Sequence, residues 1–200
     1  MVIFLTTIVG LKCLDGVVLA SDRRASKGGM IGSKAVKKIY SIDDKKAVAI
    51  AGQLSDANYL INLVKAEAKL MEFNRGFPLT VKEIAKMLSN ILYSGMRNYA
   101  PFITEMLVAG VDETGSQVFE ADISGAVTDE DFTSSGSGSP MAYGVLEATY
   151  TKGLTTIEGS EIAIKAVKSA MERDPGSGNG VQVLVITAKG SEWYDLGGAK

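Results

Sequence analysis

The sequence supplies hydroxyls, carboxylates and ammonium groups for chemistry, but its 200 residues contain no histidine. That absence excludes Ser-His-Asp and Cys-His mechanisms and removes the commonest metal ligand. If the chain transfers acyl groups, its base is of another kind. An N-terminal α-amine, with an unperturbed pKa of about 7.7–8.0, suits that task at neutral pH. Cys13, the only cysteine, can form neither an internal disulfide nor a multi-thiolate zinc site, and reads as a small hydrophobe at a strand end. The run Gly136-Ser137-Gly138-Ser139-Pro140 could offer backbone N–H groups to a phosphate. It matches neither G-x-x-x-x-G-K-S/T nor G-x-G-x-x-G, so a tight packing turn is the better reading.

The elements that must position these groups can be read from periodicity. Thr6–Lys12 and Asp15–Arg24 are β-rich runs flanking Leu14-Asp15-Gly16, and an Asp-Gly pair between strands signals a hairpin. A turn-rich excursion follows over 25–36, with a short strand possible at Met30-Ile31. Strands are then expected over 38–42 and 47–51. Apolar residues at 60, 63, 64, 68 and 71 share one helical face, and Gly76 and Pro78 stop that helix. Thr80 with Glu83, and Thr155 with Glu158, have the form of capping boxes opening two further helices. Strands are expected over 102–111, 117–123, 132–135 and 181–187, a helix over about 141–150, and a final hairpin turning at Lys189-Gly190. Strands at both ends with helix pairs between them point to two packed sheets covered by helices, not to a parallel doubly wound sheet.

Composition suits one globular domain with a sizeable core, 46% of the residues being hydrophobic. A net charge of −2 and a pI near 5.3 leave no electrostatic footprint for nucleic acid. Met1-Val2-Ile3-Phe4-Leu5 is apolar but too short for a membrane span and lacks the basic region of a signal peptide. A cytoplasmic protein with no membrane contact is the simplest expectation.

Several blocks, in order, closely resemble the proteasome β-type subunits. They are Thr6-Thr7-Ile8-Val9-Gly10, the run from Asp15 to Ser26, Lys37-Lys38-Ile39-Tyr40, Ile50-Ala51-Gly52, Gly136-Ser137-Gly138-Ser139 and Arg173-Asp174-Pro175-Gly176-Ser177-Gly178. No single block is specific; their order over nearly the whole chain is. The resemblance implies the α+β fold of the N-terminal nucleophile hydrolases, a four-layer α-β-β-α sandwich of two antiparallel sheets flanked by helices. It implies residues 1–5 as a short pro-segment and 6–200 as one β-type domain. It also implies seven-membered β rings enclosed by α-type subunits, a regulatory ATPase acting through the α ring, and unfolded polypeptide as substrate, with no metal or organic cofactor.

The family's roles carry over residue by residue. Thr6 takes the position of the nucleophile, activated by its own amine once the Leu5-Thr6 bond is cut. Lys38 would place an ammonium beside that hydroxyl, and Asp22 would hold the lysine charged and oriented. Ser137, Asp174 and Ser177 match the supporting polar cluster, Gly52 the backbone donor to the carbonyl oxygen, and Ser26 a position that pairs with the substrate strand. Ala25, Val36, Ile50 and Leu54 match the primary specificity pocket. All four are apolar, which implies cleavage after hydrophobic residues because an unpaired substrate charge is costly to bury.

Two positions depart from the pattern. Leu5 stands where active members usually carry the glycine that precedes the threonine, and Ile8 replaces a usual threonine. Two readings follow: a threonine peptidase matured by loss of residues 1–5, or an uncut and silent structural β subunit that supports ring assembly beside an active relative. Another amide hydrolase of the same fold is a third.

Overall fold

The computed structural model describes residues 5–197. The first sheet has the order β10-β1-β2-β11-β12, from Phe132–Ser135, Ile8–Lys12, Gly16–Asp22, Val181–Thr187 and Gly190–Leu196. The second runs β5-β6-β7-β8-β9, from Ile39–Ser41, Lys46–Gly52, Thr104–Asp112, Gly115–Ala121 and Val127–Asp129. Every pairing in both is antiparallel. A separate ribbon pairs β3 (Ala25–Lys27) with β4 (Met30–Ser33).

Alternation along the strands builds the layers. In β2, Val17 and Leu19 face the second sheet with Ile39, Ala49, Leu107 and Leu184, while Val18 and Ala20 face Ala163, Ala166 and Val167 of α4 (Thr156–Arg173). A strand covered on both sides has no wet face, and all of β2 is buried. α3 (Ser139–Thr149) packs with α4 on the first sheet. α1 (Leu54–Arg75) and α2 (Val81–Arg97) bury Leu60, Val64, Ile84 and Leu88 against the second. The result is the α-β-β-α sandwich that the family resemblance implies.

Local chemistry sets the helix ends. Thr80 and Thr155 both accept from the backbone N–H three residues on, while Glu83 and Glu158 return bonds to the cap N–H groups. Gly76 ends α1 in the left-handed region at φ 81°. The turn residue Asp15 accepts from Thr156 N at 2.7 Å, so the first hairpin also caps α4.

Several boundaries differ from the sequence expectation. α3 starts at Ser139, two residues early, because Pro140 lacks an N–H and is accommodated in the first turn. β7 starts at Thr104 instead of residue 102, and β8 occupies 115–121 instead of 117–123. Ser26 lies in a strand within the expected turn region, and β9 was not anticipated; both strands are three residues long, too short for a period-two signal. The sheet order brings to one end of the sandwich the two residues before β1, the ends of β2 and β6, the residue before β5, the loop after β10 and the cap of α4.

Candidate active site

That end of the sandwich gathers Thr6, Asp22, Lys38, Ser137, Asp174 and Ser177, which are up to 171 positions apart in the chain (177 minus 6). Thr6 is fully buried two residues before β1. Its hydroxyl donates to Asp22 Oδ1 at 2.6 Å and accepts from Lys38 Nζ in a very short contact. Lys38 also donates to Asp22 Oδ1 at 2.5 Å, closing a three-membered network with only 2% of the lysine exposed.

Five donors converge on the Asp22 carboxylate. Oδ1 takes Thr6 Oγ1, Lys38 Nζ and Thr7 N at 3.0 Å; Oδ2 takes Arg24 N and Gly178 N, both at 2.9 Å. An interior carboxylate needs such partners, since an unpaired buried charge is far costlier than a bonded one. Lys38 is pulled two ways. Burial pushes its pKa below the usual 10.5, and the adjacent Asp22 charge raises it again without offsetting the burial. The ammonium therefore gives up a proton more readily than an exposed lysine.

A second network holds the nitrogen of Thr6. Ser137 Oγ accepts from Thr6 N at 3.0 Å and donates to Asp174 Oδ2 at 2.6 Å. Ser177 Oγ donates to the same oxygen at 2.6 Å. Because the Ser177 proton is used there, Thr7 Oγ1 is the donor in its 2.7 Å contact with Ser177. With Leu5 attached, Thr6 N is a peptide nitrogen and no base; once freed, the amine would already sit on a serine–aspartate pair.

Two glycines shape the surroundings. A Cβ at Gly136, where φ is 91°, would collide with the Thr6 carbonyl oxygen; one at Gly52, where φ is 124°, would collide with Ile103 O. Gly52 lines a small cleft with Val36, Lys38, Ile50 and Leu54, enclosing about 10 Å³. Three of the four expected pocket residues thus meet beside Lys38. Ala25 does not line this cleft: it starts β3, buried opposite Ser33, because the chain leaves the sheet there as a separate ribbon. Ser26 is buried on β3 opposite Ile31.

Thr7, Arg24 and Gly178 were not anticipated from sequence. Arg24 donates through Nε to Asn179 Oδ1 at 2.9 Å and through a terminal nitrogen to Pro175 O at 2.8 Å, so it pins the 174–180 turn to the end of β2. The one available signal was the doubled Thr6-Thr7, since alternation sends the second hydroxyl to the opposite side, where Ser177 waits.

Two packed antiparallel sheets between helix pairs, with a buried threonine before the first strand, define the fold class of the N-terminal nucleophile hydrolases. The sequence profile described as "Proteasome subunit" matches residues 5–186. Proteins named proteasome subunit beta are similar along most of the chain. The Methanothrix thermoacetophila protein is 47% identical over 183 residues, 91% of this chain and 87% of that protein. The Ferroglobus placidus protein is 46% identical over 192 residues, 96% and 90% of the two chains. The Methanocaldococcus vulcanius protein is 48% identical over 187 residues, 92% and 83%. The chain belongs to the proteasome subunit family, as a β-type member. That is a family of protease subunits that assemble into proteasome complexes. Among the described residues, no helix is long and apolar enough to cross a membrane.

Proposed function

We propose that this chain is a threonine endopeptidase of a cytoplasmic proteasome core, with Thr6 as nucleophile after removal of residues 1–5 and 6–200 as the working domain. The observation that carries this reading is the convergence of Lys38 Nζ and Asp22 Oδ1 on Thr6 Oγ1 while Thr6 N rests on Ser137. In the cut chain, Thr6 Oγ1 attacks the substrate carbonyl carbon and its proton passes to the freed amine. Lys38 offsets the charge left on oxygen, a role normally filled by preorganised donors. The Gly52 N–H serves the carbonyl oxygen in the tetrahedral intermediate. The carbon–nitrogen bond then breaks, the leaving amine takes the proton, and water hydrolyses the ester left on Thr6.

The apolar lining by Val36, Ile50 and Leu54 supports cleavage after hydrophobic residues, since a charged side chain would lie there unpaired. Equal turnover of peptides with Arg or Glu before the cut bond counts against it. Family membership supports the assembly: other β-type subunits in a seven-membered ring, α-type subunits beside it, a regulatory ATPase through the α ring, and unfolded polypeptide as substrate. The second reading, a silent structural subunit, is favoured by Leu5 at the cleavage position, where its Cα and Cβ fill the space against Gly176. Intact mass of the assembled particle decides. Loss of residues 1–5 with epoxyketone labelling of Thr6 supports the peptidase; a full-length chain in a particle that hydrolyses peptides elsewhere overturns it.

A further inference from the structure

The loop that leaves strand β10 carries the acceptor for the Thr6 nitrogen, Ser137, and two carboxylates from the opposite sheet hold that strand. Ser135 Oγ donates to Glu105 on β7, and Thr133 Oγ1 donates to Glu120 on β8, both in very short contacts. Thr133 and Ser135 are buried on the face of β10 that looks across the sandwich; Ser134, pointing the other way, donates to Ile8 O at 2.8 Å. Met106 pairs with Ala121 and Leu107 with Glu120, so Glu105 and Glu120 are diagonal neighbours on one face of the second sheet. Among the described residues neither carboxylate takes part in an ion pair. Their bonding comes from the hydroxyls of β10 instead, and Tyr143 OH extends the chain by lying 3.0 Å from Thr133 Oγ1.

Register explains why this matters. Ile8 pairs with Ser135 across the β1–β10 ladder, so continuing that register by two residues sets Thr6 opposite Ser137, where the Thr6 N–Ser137 Oγ bond is found. β10 is a four-residue edge strand, and slip along β1 would carry Ser137 away from the nitrogen. We infer that Glu105 and Glu120 are positioning residues, which lock β10 through Ser135 and Thr133 and thereby set the Ser137 hydroxyl against the Thr6 nitrogen. The catalytic meaning rests on the proposed role of Thr6; the mechanical part does not.

Steady-state hydrolysis of a fluorogenic peptide with a hydrophobic residue before the cut bond, in assembled particles, tests the first. Glu105→Ala with Glu120→Ala is expected to lower kcat about 10- to 100-fold, the scale of an ångström-level misplacement, with KM nearly unchanged. Glu105→Gln with Glu120→Gln keeps an acceptor oxygen at each site and is expected to recover most of the rate. Ser135→Ala added to Glu105→Ala should cost nothing further. Hydrogen exchange in a Thr6→Ala background tests the mechanical part without catalysis: the alanine pair should speed exchange in residues 132–138 and leave 181–187 unchanged. Unchanged exchange there, or equal losses with Ala and Gln, overturns the positioning role. A wild-type chain that keeps residues 1–5 and resists labelling overturns the peptidase reading instead, and the exchange result distinguishes the two failures.

Discussion

Lys38 and Asp22 meet inside the protein with Nζ 2.5 Å from Oδ1, and both touch the hydroxyl of Thr6. Neither side chain has meaningful access to water, so each depends on the other. Removing one partner strands the other, which in buried pairs costs about 3–5 kcal/mol. Lys38→Met should therefore lower Tm substantially, and Lys38→Met with Asp22→Asn should recover part of the loss, by calorimetry. Both variants should retain Leu5 by intact mass and fail to hydrolyse peptides; a processed, active Lys38→Met particle contradicts the assigned role.

The lysine also has a pH signature. Its folded pKa lies below the ordinary value, with burial the main cause, so between those two values the unfolded chain binds more protons than the folded one. Stability from this group therefore rises with pH across a window ending near 10.5. Buried Cys13 and half-buried Tyr150 act in the opposite sense at alkaline pH, their pKa values being pushed up to about 12. The contribution of Lys38 is thus the difference between Thr6→Ala and Thr6→Ala with Lys38→Met. Chemical denaturation over pH 7–10 should show that gap shift in favour of the lysine-bearing chain as pH rises.

Gly52→Ala should be disabling. The position has φ 124°, and the added methyl would run into the backbone at Ile103 and Thr104. Strain of this kind costs about 1–3 kcal/mol, before any loss of the donor beside the cleft. A lower Tm and lost inhibitor labelling are expected; normal turnover would show that β6 tolerates a side chain there.

Gly176→Ala separates the two covalent states. A methyl at Gly176 would overlap Leu5 Cβ, so it should destabilise the uncut Thr6→Ala chain. It should be well tolerated by a chain expressed from Thr6 onward. Equal Tm changes in both would mean that Leu5 does not occupy that position.

Cys13 should be inert while the protein is folded. It is buried, and desolvation first, then the charges of Asp15 and Glu158, push its pKa up to about 12. Because the thiolate is the nucleophile, iodoacetamide at pH 8 should modify it only after denaturation. Fast labelling of native protein would place the thiol at the surface.

Much of the architecture was legible in the sequence because local rules and global packing agree there. Asp15-Gly16 marked the first hairpin, the apolar stripe of α2 marked its buried face, and the Thr–Glu pairs at 80/83 and 155/158 formed both reciprocal capping bonds. The short strands β3 and β9 left no signal, since three residues cannot display alternation. The sequence places Pro140 in the loop before a helix expected from about 141, whereas it sits in the first turn of that helix. Of the site, the residue types and their likeness to a family were visible. The bonds of Thr7 to Ser177, of Arg24 to Asn179 and of Gly178 to Asp22 were not, because each joins segments far apart in the chain.

The sequence by itself determined that any acyl transfer here must proceed without imidazole, that the chain alternates between strand and helix periods, and that Leu5 precedes the candidate threonine. Tertiary structure alone decided that residues 6, 22, 38, 137 and 174 are bonded to one another at one end of the sandwich. The reason is the strand order: β1 lies between β10 and β2, which brings the end of β10 and the end of β2 to either side of Thr6. Sequence distance carries no information about that adjacency, which packing across two sheets imposes.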